Sequence, residues 1–140
     1  MSDDVPTPEV PDWARTISSE LHDRMGIQVT TIGTELVVGT MPVEGNRQPL
    51  GLLHGGASAV LIEGLASLGA TAHALATGRV AAGVDLNVTH LRAVREGLVT
   101  GTATPIHLGG RVAVYEVTLT DELGRRTAIG RLTCQLVAAP

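Results

Sequence analysis

A chain of 140 residues makes one domain, long enough to bury a single hydrophobic core. Hydrophobic residues make up 44%, yet there is one Trp, one Tyr and no Phe, so the core is aliphatic and a base-stacking platform for oligonucleotides is excluded. The net charge is −4, and it is uneven: residues 1–70 carry three Arg and nine acids, residues 71–140 seven Arg and five acids, with no Lys anywhere.

Arg without Lys suits forked contacts to phosphate, and a biased genome composition accounts for it equally well. The lone Cys134 rules out an internal disulfide framework and fits the cytosol. Residues 1–12 are acidic and Pro-rich, unlike a signal peptide, and the longest apolar run is broken by Glu63 and several Gly. The expectation is a cytoplasmic protein with no membrane span, no nucleic-acid partner and no metal, since no His or Cys pair has metal-ligand spacing.

Residues 1–14 read as a flexible lead-in and 15–140 as one domain. Thr16 to Met25 carries Ile17, Leu21 and Met25 at spacings of four, which predicts a short amphipathic helix capped by Thr16 or Ser18 and stopped by Gly26. Ile27–Ile32 and Glu35–Met41 are β-like and meet at Gly33-Thr34, as a hairpin would. Residues 43–50 are a loop of turn formers. A helix from Gly55 to Ala76 follows, ended by Gly78. It is apolar nearly all round, so it should be buried, and Gly64 and Gly69 allow close packing around it.

Beyond that helix the period changes from 3.6 to 2. Val84, Leu86 and Val88 alternate with Asp85, Asn87 and Thr89. A strand over roughly Gly97–Ile106 comes next. Ala113, Tyr115, Val117 and Leu119 mark a third strand, and the turn Asp121–Gly124 leads to a fourth, with Leu132, Cys134 and Leu136 on its apolar face. Cys134 is thereby core rather than a reactive thiol. Two strands, a long helix and four strands joined mostly by short turns make an α+β chain whose largely antiparallel sheet wraps the helix.

Glu63 is the one charge between Arg47 and Arg79. A carboxylate in apolar surroundings is costly unless it is paired, hydrated or put to use. It follows His54-Gly55-Gly56, where a helix start offers free N–H groups at the positive end of the dipole and no Cβ to keep a ligand carbonyl away. Such an end can hold a developing oxyanion. Gly55 and Glu63 are eight residues apart, about 12 Å along a helix axis, too far to act on one carbonyl carbon. Two such helices packed antiparallel about a two-fold axis would bring Gly55 of one chain beside Glu63 of the other, so the spacing favours a site shared by a homodimer.

The run His54-Gly-Gly-Ala-Ser, Glu63 and Ser67, in the order strand–strand–helix–four strands, resembles the hotdog-fold acyl-CoA thioesterases over roughly residues 20–137. The likeness is to the subgroup acting on 4-hydroxybenzoyl-CoA, dihydroxynaphthoyl-CoA and aryl carrier proteins. It implies a hotdog fold and hydrolysis of an acyl thioester, with an acyl-CoA or acyl carrier protein as substrate and partner. The implied assembly is a homodimer at least, and a tetramer as a dimer of dimers. No cofactor is implied, since CoA is part of the substrate. In that family the N–H after the His polarises the carbonyl, which maps to Gly55, and the helix Glu is nucleophile or general base, which maps to Glu63. Gln48 and Ser67 match assisting residues and His54 a supporting one. Two segments resemble CoA-binding elements: His90, Leu91, Arg92 and Ala93 at one strand end, and the turn His107, Leu108, Gly109, Gly110 and Arg111. His22 and His73 read as ordinary surface or helix residues.

Glu63 either attacks the carbonyl, giving a mixed anhydride, or activates water. The acyl pocket is expected to be lined by aliphatics such as Leu52, Leu65 and Leu68, with an aryl or hydroxyaryl group favoured by the resemblance. Two other functions compete. A hotdog dehydratase would use a His with an acid, but its His is followed by bulky residues and Pro rather than Gly-Gly. A non-catalytic acyl-CoA sensor would leave Glu63 without purpose.

Overall fold

The computed structural model describes residues 10–140, so the lead-in expected over 1–14 falls largely outside the described residues. Asp12–Arg15 form one helical turn, α1, followed by Thr16, whose Oγ1 donates to Trp13 O at 3.1 Å. The helix expected from Thr16 begins later. α2 spans Glu20–Met25, and its cap is Ser19, whose Oγ accepts from His22 N–H at 3.3 Å. Gly26 ends it in the left-handed conformation (φ 72°) that a Cβ would disfavour.

Six strands form one antiparallel sheet: β1 Gln28–Ile32, β2 Val37–Pro42, β3 Arg79–His90, β4 Leu98–Leu108, β5 Val112–Thr120 and β6 Arg126–Ala138. The expected hairpin is there, with Ile32 opposite Val37. The order across the sheet is β1-β2-β4-β5-β6-β3, so β3 is an edge strand paired only to β6, and the chain crosses back to the sheet centre to begin β4. The alternation expected for β3 breaks at a bulge between Gly83 and Asp85, which turns Val84 outward at 61% exposure while Leu86 and Val88 stay half-buried.

The long helix α3, Gly55–Leu75, lies in the hollow of this sheet. Leu61, Ile62, Leu65 and Ala66 are fully buried against β-strand residues such as Val99, Val117 and Leu132. Each large aliphatic contributes about 1.5–3 kcal/mol by leaving water. By length and composition α3 could cross a bilayer, but here it is the core helix of the sheet. Burial on all sides is not what is found. The face carrying Glu63 is open, because this one sheet covers only part of the helix.

Two glycines inside α3 each forgo about 1 kcal/mol of helix propensity relative to Ala. The neighbours explain both. A Cβ at Gly69 would lie 2.5 Å from Tyr115 Cε1, and a Cβ at Gly64 would lie 2.5 Å from His22 Cε1 and Nε2. Tyr115 is fully buried and its hydroxyl donates to Thr34 O at 2.5 Å, tying β5 to the β1–β2 hairpin. Cys134 is buried between Leu132 and Leu136 as the alternation predicts, and its thiol is pushed up to about 11 by burial first and by the charge of Glu63 second.

Candidate active site

The loop before α3 is pinned by Asn46, whose Nδ2 donates to Met25 O at 2.7 Å and Pro42 O at 2.8 Å, while its own carbonyl accepts from His54 N–H at 2.8 Å. Asn46 is buried, with its amide nitrogen donating twice and its backbone carbonyl holding His54, so it fixes where α3 starts. The sequence marks it only as a turn former. His54 then caps the helix: its Nδ1 accepts from Gly56 N–H at 2.8 Å. The Gly55 N–H, one residue earlier, has no hydrogen-bond partner among the described residues. A free donor therefore stands at the positive end of a 21-residue helix.

Gly55 opens into a cavity of about 430 Å³ with Gln48, Ser58, His90, Leu91, Arg92 and Ala93 on its walls. The imidazole of His90 stands over Gly55, its Nε2 2.9 Å from where a Cβ would be. Gln48 turns its Oε1 onto Leu50 N–H, leaving its amide N–H groups as the donors available to the cavity. The His90–Ala93 segment is held by Thr127 O, which accepts from Leu91 N–H at 2.8 Å and Arg92 N–H at 3.1 Å. Ser58, which closes the His54-Gly-Gly-Ala-Ser run, and Thr127, which the sequence does not single out, are buried parts of this wall.

Glu63 and Ser67 open elsewhere. They line a cavity of about 720 Å³ between α3, α2 and β1, with Leu21, His22, Val29 and Val60. The Glu63 carboxylate lies against the bulge of β3, its Oε1 3.1 Å from where a Cβ on Gly83 would sit. Of the three leucines expected around the acyl group, Leu68 lines this cavity and Leu52 the other. Leu65 lines neither. It is core, packed on Gly39 and Gly101 of the sheet, because its helix position faces inward.

The turn His107–Arg111 is in neither cavity. It is attached to the far end of α3: His73 Nε2 lies 2.8 Å from Gly109 O, and since a carbonyl can only accept, the Nε2 carries the proton. Gly109 N–H in turn donates to Val112 O at 2.9 Å, and Leu136 N–H donates to Arg111 O at 2.8 Å. His73 is eighteen residues beyond Gly55, about 27 Å along the axis. One chain thus brings together Gln48, Gly55, His90, Leu91, Arg92 and Ala93, keeps Glu63 and Ser67 in a second place, and holds His107, Leu108, Gly109, Gly110 and Arg111 in a third. His54 supports the first group as a cap. Among the described residues no three His, Cys, Asp or Glu converge as a metal site would require.

The profile of the Thioesterase superfamily matches residues 50–128, which spans α3 with its Gly55 and Glu63. The chain belongs to that family. It is 42% identical over 116 residues to the proofreading thioesterase EntH of Cronobacter turicensis, covering 81% of this chain and 82% of that one. It is 39% identical over 137 residues to the 1,4-dihydroxy-2-naphthoyl-CoA hydrolase of Escherichia coli, covering 89% and 98%. The crystal structure of a thioesterase from Haemophilus influenzae superposes with a TM-score of 0.81 at 36% identity, over 86% of this chain and 85% of that chain. The fold is accordingly the hotdog fold, and the protein is a thioester hydrolase.

Proposed function

We propose that this hydrolase cleaves acyl-CoA thioesters, with aryl or hydroxyaryl acyl groups as the preferred class, at sites each built from two copies of the chain. The observation that carries the reading is the free Gly55 N–H at the start of α3 with Glu63 eight residues further along it. In one chain these two groups open into separate cavities. Antiparallel pairing of two α3 helices, with the two-fold axis midway between positions 55 and 63, joins Gly55, Gln48 and His90 of one chain to Glu63 and Ser67 of the other. The same pairing carries the partner's His107–Arg111 turn, fixed at the end of its own α3, past the first helix's N-terminus toward Arg92. The open face of α3 and the unpaired edge of β3 are the surfaces such a dimer would cover.

In that arrangement Gly55 N–H donates to the thioester oxygen as charge develops there, an effect worth about 2.7–4 kcal/mol for one such donor. Glu63 then follows one of two routes. Its carboxylate adds to the carbonyl carbon, the C–S bond breaks to release the CoA thiolate, and water cleaves the resulting anhydride. Alternatively it takes a proton from water, whose hydroxide adds to the same carbon before the C–S bond breaks. Either route gives free acid and CoA. His54 is spent as a cap on Gly56 N–H, which argues against its serving as the proton carrier a dehydratase needs. Arg92 and Arg111 are assigned to the phosphates of CoA. The family likeness to a dihydroxynaphthoyl-CoA hydrolase supports the acyl class.

The test is turnover of benzoyl-CoA, 4-hydroxybenzoyl-CoA and hexanoyl-CoA by wild type and Glu63→Ala. A loss of at least about a hundredfold is expected, the lower end for removal of a catalytic base. Near-normal turnover by a folded Glu63→Ala protein sinks the assignment.

A further inference from the structure

His22 belongs to the cavity of Glu63, although the sequence marks it as an ordinary helix residue. The Ser19 cap and the left-handed Gly26 fix both ends of α2, which lines one wall of that cavity. Its His22 ring lies edge-on over Gly64, with Cε1 and Nε2 both 2.5 Å from where a Cβ would stand, so this ring position exists only because residue 64 lacks a side chain. Gly64 follows Glu63 directly and precedes Ser67 by three residues, so the ring is held beside the groups assigned to the chemistry. Neither ring nitrogen has a hydrogen-bond partner among the described residues. Around it the wall is largely aliphatic, including Leu21, Ile27, Val29, Val60 and Leu68.

From this placement we infer that His22 is a specificity-determining residue that hydrogen-bonds a hydroxyl carried on the aromatic ring of the acyl group. The inference rests on the proposed aryl-CoA hydrolysis and names the residue that reads the hydroxyl. Burial holds the His22 imidazole below its ordinary range, against a smaller opposing pull from Asp23, so it is neutral at physiological pH. A neutral imidazole offers one donor and one acceptor, the pair a phenol hydroxyl can satisfy. A site built to bind a hydroxyl rejects the analogue lacking it, because its own polar group is then left unpaired. Gly64 is part of the device, since any side chain there displaces the ring.

The test compares wild type, His22→Leu and His22→Gln, each first shown to melt as a folded protein. The substrates are benzoyl-CoA and its 2-, 3- and 4-hydroxy derivatives. The probes for binding are the non-hydrolysable thioethers S-phenacyl-CoA and S-(4-hydroxyphenacyl)-CoA. Wild type should prefer at least one hydroxylated ester by roughly tenfold in kcat/KM, the size of one hydrogen bond of about 1.4 kcal/mol. His22→Leu should erase that ratio, whatever its effect on benzoyl-CoA turnover itself, and His22→Gln should keep part of it. Hydrolysis with the same ratio in wild type and His22→Leu, or no hydroxyl preference in wild type, overturns the role of His22 and leaves the aryl-CoA reading standing. Absence of hydrolysis of every ester sinks that reading, and the thioether affinities then judge His22 alone: a hydroxyl preference lost in His22→Leu upholds it, an unchanged preference overturns it.

Discussion

Gly55 and Glu63 are carried by the same helix, eight residues apart, yet each opens into a different cavity of the chain. About 12 Å of helix axis lies between them. Neither cavity alone holds both an oxyanion donor and a carboxylate. The division follows from local structure: the Asn46-pinned loop and the β3 end build walls around Gly55, while α2 and β1 build walls around Glu63.

Arg92 and Arg111 are assigned to the phosphates of CoA and not to the reacting carbonyl, so their loss weakens ground state and transition state alike. Arg92→Ala or Arg111→Ala should raise KM for CoA thioesters about tenfold and change kcat little. An N-acetylcysteamine thioester, which lacks the nucleotide, should be hydrolysed equally by all three proteins. Equal loss on both substrates would make the arginines structural.

His73 should act on the same binding step from a distance. Its Nε2–H holds Gly109 O and with it the turn that presents Arg111. His73→Ala should cost about 0.5–1.5 kcal/mol of stability and raise KM for CoA esters, with the N-acetylcysteamine thioester unaffected. His73→Gln, which keeps a donor of similar reach, should restore part of the KM. A stability loss with unchanged KM would show that the turn does not depend on this bond.

Tyr115 makes alkaline pH a probe of the core. Its phenol is pushed from 10.0 up to about 12, by burial first and then by the charges of Glu35 and Cys134. The folded state therefore favours the neutral phenol. The stability this contributes is complete below pH 10 and is lost as pH climbs from 10 through about 12. Inside that window the loss approaches about 1.4 kcal/mol per pH unit. The chain has a single Tyr, so phenolate absorbance reports this residue alone. Titration near 10 in the native protein would show that the hydroxyl is not buried against Thr34 O.

Much of this is legible in the sequence where the cause is local. The helix expected over Gly55–Ala76 is found at Gly55–Leu75, because the His54-Gly-Gly start and the Gly78 stop are chemical marks next to the element itself. Alternation marks β3, β5 and β6 in the same way. What escapes depends on partners distant in sequence. Nothing near Val84 tells that β3 is an edge strand whose bulge turns this residue outward. Leu65 and Leu68 look alike in sequence, and only the sheet decides that one is core and the other cavity wall. His22 meets Gly64 across more than forty positions, so its place beside Glu63 has no local mark beyond an unexplained glycine in a helix.

The shared site is tested most directly by mixing two inactive proteins. Glu63→Ala removes the carboxylate and Gly55→Pro removes the N–H donor, at a helix position where Pro is tolerated. Since any Cβ at residue 55 meets His90, Gly55→Ala serves as the control that adds the carbon but keeps the donor. Glu63→Ala and Gly55→Pro should each be nearly inactive alone. Unfolded apart or exchanged to equilibrium at equal ratio, random pairing makes about half of the dimers mixed, each with one intact site, so activity should return to about a quarter of wild type. No recovery despite demonstrated subunit exchange would place Gly55 and Glu63 in separate functions of one chain and contradict the composite site.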